Sequence, residues 1–222
     1  MADKKNSENS NGKNYDLDAG GRLSAYTTRN RAALIKSAQE VLAEYGLNAT
    51  IEQLASHSRV SPTTIYNHFG NKESLLSEAL EQAWREWVIW AYEGNPIGQD
   101  LQSMIDVCRK LLRAKQTHPQ MAKILQRTLD NPSFVINAVN VISKADLKTV
   151  TEKEGFATSN FEEQAYLWAY SLAGIFHRVY VTEDATPEQA DKLLELSLQM
   201  LDVSKAKAKK IISRPVEVPQ KR

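Results

Sequence analysis

The sequence predicts an all-α protein of about nine helices, with a small N-terminal domain of three helices and a larger helical domain after it. Three observations support this prediction. Apolar residues recur at helical spacing in almost every segment from Thr28 onward, whereas no segment alternates convincingly like a strand. Glycine and proline interrupt the pattern where helices are expected to end. Hydrophobic residues make up 42% of the 222 residues, which is ample for a core.

Composition and charge divide the chain into four parts. Residues 1–27 are rich in Asn, Gly, Ser, Asp and Lys and are predicted to be a disordered arm. The first folded domain, the head, covers residues 28–73 and is mildly basic, and the second, the body, covers residues 74–204 and is acidic. Residues 205–222 form a tail with a net charge of +6, which we expect to be a solvated appendage. A polyanion is therefore expected to meet the head or the tail rather than the body.

Several classes of protein are disfavoured by the composition. The single cysteine rules out an internal disulfide framework and suits a reducing compartment. The N-terminus has no apolar core of a secretory signal, and the longest apolar run, over residues 165–176, is too short to span a bilayer. We therefore expect a cytoplasmic protein that makes no membrane contact.

The helices of the head are marked by capping signals. The first helix is predicted to begin near Thr28 and to end at Gly46. Thr50 opens the second helix and has Gln53 three residues on, which is the capping-box pattern. The third helix is predicted to begin at Ser61, a favourable N-cap residue that precedes a proline at the first helical position.

The second and third helices are separated by a tight turn, which predicts a helix-turn-helix unit whose second helix enters the DNA major groove. Ile65 and Phe69 lie four residues apart, so they share the inward face of that helix. Its remaining side chains face outward or sideways, and they are Thr63, Thr64, Tyr66, Asn67 and His68. Asparagine pairs with adenine and threonine packs on the thymine methyl group, whereas tyrosine, histidine and lysine suit phosphate oxygens.

The segment ALIKSAQEVLAEYGLNATIEQLASHSRVSPTTIYNHFGNKESLL resembles the DNA-binding domain of the TetR (tetracycline-repressor-like) family of transcriptional regulators. The most specific part follows the pattern V-S-x-x-x-[IL]-Y-x-H-F-x-[NS]-K-E-x-L. The resemblance implies contacts to phosphate for Thr50 and Lys72, positions in or beside the major groove for Ser61, Thr63, Thr64 and Asn67, and contacts to the DNA backbone for Tyr66 and His68.

Arg59 departs from the family pattern, which usually has glycine at this turn position. A side chain costs about 1–2 kcal/mol in a left-handed backbone conformation. Either Arg59 tolerates this strain and reaches toward phosphate, or the turn has a different shape.

The body is predicted to hold six helices. A long amphipathic helix follows the helix-turn-helix unit and ends near Gly94. Five further helical segments cover residues 101–112, 121–128, 134–154, 161–181 and 187–204, of which the last extends toward the lysines of the tail.

The resemblance implies that these helices form a ligand-binding and dimerisation domain. Seven of their side chains are candidates to line an apolar, aromatic pocket, namely Trp87, Trp90, Met104, Cys108, Trp168, Phe176 and His177. Plain packing in the core is the alternative for each aromatic residue, and His177 is the best candidate for a polar anchor. Small residues from Ala169 to Gly174 suit a subunit interface.

No catalytic or metal-binding motif is present in the sequence, and the four histidines lack metal-ligand spacing, so we expect neither an enzyme nor a metal site nor a cofactor. The sequence favours a ligand-responsive repressor that binds a near-palindromic double-stranded DNA operator as a homodimer. Its ligand would be an unidentified small, partly apolar molecule. Two alternatives stay open: a regulator that senses a protein partner, and an architectural DNA-binding protein that uses the basic head and tail.

Overall fold

The computed structural model describes residues 17–96, 98–129, 144, 146–156, 160–181 and 185–217, with side chains from residue 27 onward. Within these ranges the backbone forms eleven α-helices and no strand, as the all-α prediction requires. None of the described helices is both long enough and apolar enough to cross a membrane.

In chain order, the helices are α1 (Leu17–Tyr45), α2 (Ile51–Ser58), α3 (Pro62–Phe69), α4 (Lys72–Tyr92), α5 (Leu101–Leu111), α6 (Ala114–Thr117), α7 (Pro119–Thr128), α8 (described over residues 146–154), α9 (Phe161–Val181), α10 (Pro187–Ser197) and α11 (Lys205–Ser213). Short 3₁₀ helices follow α1 at Gly46–Asn48 and α10 at Leu198–Leu201. Most of the first half of the helix predicted over residues 134–154 lies outside the described residues, as do residues 218–222 of the tail.

The predicted start of the first helix is wrong. Helix α1 begins at Leu17 rather than near Thr28, so the second part of the predicted disordered arm has a helical backbone. Residues 17–27 have no apolar residues at regular helical spacing, so the sequence pattern did not predict this part of α1. Adding residues to the end of an existing helix requires no new nucleation step, so these residues can extend α1 at a small cost in free energy. Residues 1–16 of the predicted arm lie outside the described part of the chain.

The caps of the next two helices are confirmed. The side chain of Thr50 accepts a hydrogen bond from the backbone N–H of Gln53, and the Gln53 side chain accepts one from the Thr50 N–H at 2.7 Å. Ser61 accepts from the backbone N–H of Thr64 and precedes a proline at the first helical position. Ile65 and Phe69 are buried, as expected for the inward face of α3.

The head packs directly on the body at the end of α1. Gly46 has a φ of +67°, and a Cβ atom at this position would lie 3.1 Å from the Cβ of Arg127 in α7. Glycine combines this backbone conformation with so close an approach at no steric cost. Helix α4 makes a second connection, since it packs against α1 in the head and against α5 and α7 in the body.

The C-terminal part of the chain differs from the prediction in two respects. The helix predicted over residues 187–204 breaks after Leu201, where Asp202 adopts a left-handed conformation with a φ of 58°. Helix α11 then begins after Ser204, whose hydroxyl caps it. The prediction of a solvated tail is wrong for α11, because Ala208 and Ile211 are buried.

Candidate DNA-binding surface and body cavity

Helix α3 places at its surface the side chains that the sequence predicted for contact with DNA bases or with the DNA backbone. Tyr66 is 47% exposed, and Thr63 and Asn67 also face the solvent. Thr64 and His68 are half-buried at the edges of the same surface. Burial of Ile65 and Phe69 on the opposite face produces this arrangement, because residues four apart in a helix lie above one another.

The first turn of α3 is fixed by hydroxyl contacts. The Ser61 and Thr64 hydroxyl oxygens lie 3.0 Å apart, and the Ser61 oxygen also accepts the Thr64 backbone N–H at 3.2 Å. These contacts hold both side chains in one conformation at the exposed end of the helix.

Two other predicted contact residues stand at helix N-termini. Thr50 caps α2 and is exposed. Lys72 is the first residue of α4, where the side chain of Asn71 accepts the Ser74 N–H at 2.7 Å. The Lys72 ammonium lies 3.5 Å from the Glu73 carboxylate, a solvated pair that contributes little to stability. Helix N-termini attract phosphate groups, because their backbone N–H groups and dipoles are positive.

Arg59 has the left-handed conformation that the sequence left open. Its φ and ψ angles are 55° and 41°, and its backbone N–H donates to the carbonyls of Ala55 and Ser56 at the end of α2. Its side chain is exposed beside the start of α3. The turn therefore keeps its left-handed residue and carries a strain of about 1–2 kcal/mol that glycine would avoid.

A cavity with a volume of about 40 Å³ lies between the helices of the body. It is lined by Trp84, Tyr92, Met104, Val107, Cys108, Leu111, Asp146, Trp168, Leu172 and Phe176. The structure thus brings together four of the seven predicted pocket residues, namely Met104, Cys108, Trp168 and Phe176. A water molecule needs roughly 10–15 Å³ and a benzene ring was accommodated in a cavity of about 150 Å³, so the observed space holds a few waters at most.

The polar end of the cavity is formed by Asp146 and Tyr92. The Tyr92 hydroxyl donates to one carboxylate oxygen of Asp146 at 3.2 Å, and the backbone N–H of Gly98 donates to the other. Burial raises the pKa of the Asp146 carboxyl, while burial and the Asp146 charge both raise the pKa of Tyr92. Asp146 was not predicted, because it lies in a polar stretch of sequence and meets Tyr92 only in the folded chain.

Two other polar groups belong to this cavity. Burial raises the pKa of the Cys108 thiol to about 12, so this cysteine stays protonated and is not a reactive thiolate. The indole N–H of Trp168 is buried and has no hydrogen-bond partner among the described residues. A polar atom that enters the cavity would therefore find the Trp168 N–H as a donor, and the Asp146 carboxylate at the polar end as an acceptor.

Three predicted pocket residues lie elsewhere. Trp87 is buried in the core, where its ring packs edge-on against Trp84 and Phe176, with ring centres 5.3 Å and 6.0 Å away. Trp90 packs against the ring of His118 with a centre distance of 4.3 Å. His177 is exposed, so the prediction that it anchors a polar group in this cavity is wrong. The helical period of α9 places Phe176 inward and turns the next residue to the solvent.

An apolar surface runs along the outside of α9. Tyr166 and Leu167 are both 55% exposed, and Tyr170 is 42% exposed. Gly174 continues the row one turn later, and a Cβ atom there would meet no atom of the described residues within 4 Å. Large exposed apolar patches on a monomer commonly mark interaction surfaces. Further exposed apolar side chains on the C-terminal segment are Leu196 and Met200.

Comparison with known proteins supports the regulator interpretation. The family described as "Bacterial regulatory proteins, tetR family" matches residues 34–79, which run from the C-terminal part of α1 through α2 and α3 into α4. An uncharacterized HTH-type transcriptional regulator of Bacillus subtilis, YvkB, is 24% identical over 174 residues, which represent 74% of this chain and 90% of that protein.

Solved structures share the fold over most of the chain. RolR in complex with the ligand resorcinol has a TM-score of 0.66 at 20% sequence identity, covering 87% of this chain and 98% of RolR. A TetR-like transcriptional regulator from Rhodococcus sp. RHA1 has a TM-score of 0.55 at 15% identity, covering 79% and 97% of the two chains. At these identities the similarity establishes the arrangement of helices.

Proposed function

Because the chain belongs to the TetR family of bacterial regulatory proteins, we propose that it is a ligand-responsive repressor. It binds a near-palindromic operator as a homodimer in the cytoplasm and releases the DNA when a small, partly apolar molecule enters the body. The observation that supports this most directly is the course of α4. This helix begins at the DNA-binding surface with Lys72 and lines the body cavity with Trp84 and Tyr92.

In this proposal α3 reads the major groove. Asn67 pairs with a base edge, while Thr63 and Thr64 contact bases or adjacent sugar groups. The residues around them hold the DNA backbone and set the register of the helix, and they are Thr50, Arg59, Ser61, Tyr66, His68 and Lys72. The exposure of α3 and the two helix N-termini beside it support these roles.

The dimer would form through the exposed apolar surface of α9. In a dimer with twofold symmetry this surface packs against the same surface of the partner protomer, so each of its side chains occurs twice in the interface. Gly174 lets the two helices approach closely, while Tyr166 and Tyr170 supply large apolar area. Two α3 helices, one from each protomer, then meet successive major grooves about one helical turn apart or slightly more.

The size and lining of the cavity indicate how a ligand would act. A volume of about 40 Å³ is too small for an aromatic ring, so ligand entry requires neighbouring helices to move apart. Helix α4 forms one wall and continues to the DNA surface, so its displacement changes the spacing of the recognition helices. A coupling of about 1–3 kcal/mol weakens operator binding roughly 5- to 150-fold.

The chemistry of the ligand is suggested by the polar end of the cavity. Apolar and aromatic walls favour a ring, while Asp146, Tyr92 and the unpartnered indole N–H of Trp168 offer a hydrogen-bond acceptor and donors to a ligand. Resorcinol, the ligand in the RolR complex, is a small aromatic ring with two hydroxyl groups and matches this combination. We therefore propose a small aromatic molecule that bears a hydroxyl group.

A reciprocal titration tests the proposal. Resorcinol and related small phenols are titrated into the free protein and into the protein bound to an operator recovered by genomic selection, with tryptophan fluorescence as the readout. An effector must bind more weakly to the operator complex than to the free dimer, by the same factor by which it weakens operator binding. Equal affinity for both forms for every compound that binds the body would contradict ligand control, and a protein partner would then become the better explanation.

A further inference from the structure

One side chain of α1 joins the end of the recognition helix to α4. The Arg31 guanidinium donates one hydrogen bond to the backbone carbonyl of His68 at 3.2 Å and another to the Glu78 carboxylate. Its central carbon also lies 4.2 Å from the centre of the Phe69 ring, within the range of a cation–π contact. Three helices, α1, α3 and α4, therefore meet on a single side chain.

The contact to His68 occurs where α3 most needs a partner. The last carbonyls of a helix have no donor within the helix, and a cation near them also offsets the negative end of the helix dipole. Helix α3 has only eight residues, too few to be stable in isolation, so its position depends on tertiary contacts. Arg31 supplies such a contact directly behind the surface that carries Asn67.

The contact to Glu78 makes the same side chain sensitive to α4. Glu78 lies in the second turn of α4, the helix that lines the body cavity further along. The planar guanidinium can hold the carboxylate, the carbonyl and the ring together, whereas a lysine ammonium lacks this fork. A displacement of α4 would therefore move the Arg31 guanidinium, which is also hydrogen-bonded to the His68 carbonyl at the end of α3.

We propose that Arg31 is a positioning residue, which fixes the recognition helix relative to α4 and acts on DNA through α3 rather than by touching it. The proposal rests on the proposed function, since its first readout is operator binding. The rival role for an arginine in this domain is a direct contact with phosphate, because the Arg31 side chain is 38% exposed. The two roles predict opposite effects when Glu78 loses its charge.

The experiment compares Glu78→Gln with Glu81→Gln in the full-length protein. Both substitutions remove one negative charge from α4, but Glu81 is exposed and Glu78 holds Arg31. If Arg31 positions α3, Glu78→Gln weakens operator binding about 5- to 30-fold and Glu81→Gln changes it by no more than about twofold. If Arg31 contacts phosphate, Glu78→Gln frees the guanidinium and strengthens binding, which would overturn the proposal.

Arg31→Lys provides a second measurement because it retains the positive charge. A positioning role predicts weaker operator binding with an unchanged dependence of the logarithm of affinity on the logarithm of salt concentration. It also predicts that the double variant, Arg31→Lys with Glu78→Gln, binds the operator no more weakly than the single variant of lower affinity. The reason is that both substitutions break the same contact, between Arg31 and Glu78. Additive losses would overturn the proposal. If thermal unfolding shows that the Arg31→Lys variant does not fold, the comparison of Glu78→Gln with Glu81→Gln is sufficient to test the proposal.

Amide hydrogen exchange separates this proposal from the proposed function, because it needs no DNA. Arg31→Lys and Glu78→Gln should speed exchange in the peptide that covers α3 and leave the peptide that covers α5 unchanged. Exchange in α3 that matches the unsubstituted protein would overturn the positioning role even if operator binding is specific. Faster exchange in a protein that selects no operator would instead retain the positioning role and reject the proposed function.

Discussion

The Tyr92 hydroxyl donates a hydrogen bond to Asp146 at 3.2 Å, and this contact ties the end of α4 to α8 across the polar end of the cavity. The two residues are separated by 54 positions in the chain. A hydroxyl-bearing ligand that takes the place of either partner would release the end of α4. The pair is therefore the part of the cavity in which ligand binding and helix position are most closely connected.

Asp146→Asn is expected to change the pH dependence of stability. Burial raises the pKa of Asp146, so the folded protein holds this proton more tightly than the unfolded chain does, and the free energy of unfolding falls as pH rises through the raised pKa. Asparagine cannot ionise, so the variant should lose less stability than the unsubstituted protein as the pH rises above about 4, the usual pKa of an unfolded aspartate. Urea unfolding at several pH values measures this difference.

Asp191→Asn is the contrasting control. Burial alone would raise the pKa of Asp191, but hydrogen bonds from Arg109 and Arg113 outweigh it and hold the pKa below its usual value. Asp191 therefore stabilises the fold above its unfolded pKa, and this contribution is lost as pH falls through the lowered pKa. The two variants should differ from the unsubstituted protein with opposite pH slopes. A pH-independent difference for Asp146→Asn would contradict the assignment.

Substitutions on the DNA-binding surface should separate base reading from phosphate contact. Asn67→Ala is expected to cost about 1–3 kcal/mol of operator binding and to relax the preference at one base position. Lys72→Ala should weaken binding to all sequences alike and reduce the salt slope by about one. Binding to a set of operator variants at several salt concentrations provides both readouts. The orientation of α3 would be wrong if Lys72→Ala altered base preference and Asn67→Ala did not.

Arg59→Gly is expected to stabilise the protein and to weaken its DNA complex. Glycine removes a left-handed strain of about 1–2 kcal/mol and loses roughly 0.5–1 kcal/mol through the freedom of the unfolded chain, so the net gain is between zero and about 1.5 kcal/mol. Loss of a phosphate contact should reduce the salt slope by about one. Asp202→Gly is the control, because Asp202 shares the positive φ but lies far along the chain in the body. An unchanged salt slope for Arg59→Gly would remove Arg59 from the interface.

Helix α11 is expected to contribute to the stability of the body. Ile211 is 6% exposed, its carbonyl accepts a hydrogen bond from Gln102 at 3.2 Å, and the Arg214 carbonyl accepts one from Arg109 at 2.8 Å. Ile211→Ala should lower the free energy of unfolding by about 2–5 kcal/mol. Lys209→Ala, in the same helix but exposed, should change it by less than about 0.5 kcal/mol. Equal effects of the two substitutions would show that α11 is an appendage after all.

Signals that act over a few residues allowed the head to be predicted closely. The caps at Thr50 and Ser61 involve partners three residues away, so the sequence alone places them. The inward direction of Ile65 and Phe69 follows from helical period in the same way. Arg59 shows the limit of such signals, because only the fold around it decided that the turn stays left-handed.

The body was harder to predict, because its site depends on contacts between distant segments. Asp146 lies in a polar stretch and becomes a cavity residue only when α8 packs against the end of α4. His177 follows a buried phenylalanine in an apolar helix, and one residue of helical rotation turns it to the solvent. Ala208 and Ile211 lie among lysines, so the high charge of the tail led to the prediction of a solvated segment and their burial was not predicted.

The proposed repressor must read one operator with two copies of α3, and genomic selection followed by footprinting measures whether it does. Purified full-length protein is incubated with fragmented genomic DNA, the bound fragments are sequenced, and the strongest fragment is footprinted. We predict an inverted repeat whose half-sites lie about one helical turn apart or slightly more, protected by a dimer. Recovery of DNA without a shared sequence, or of a site without twofold symmetry, would contradict this claim and favour an architectural DNA-binding protein.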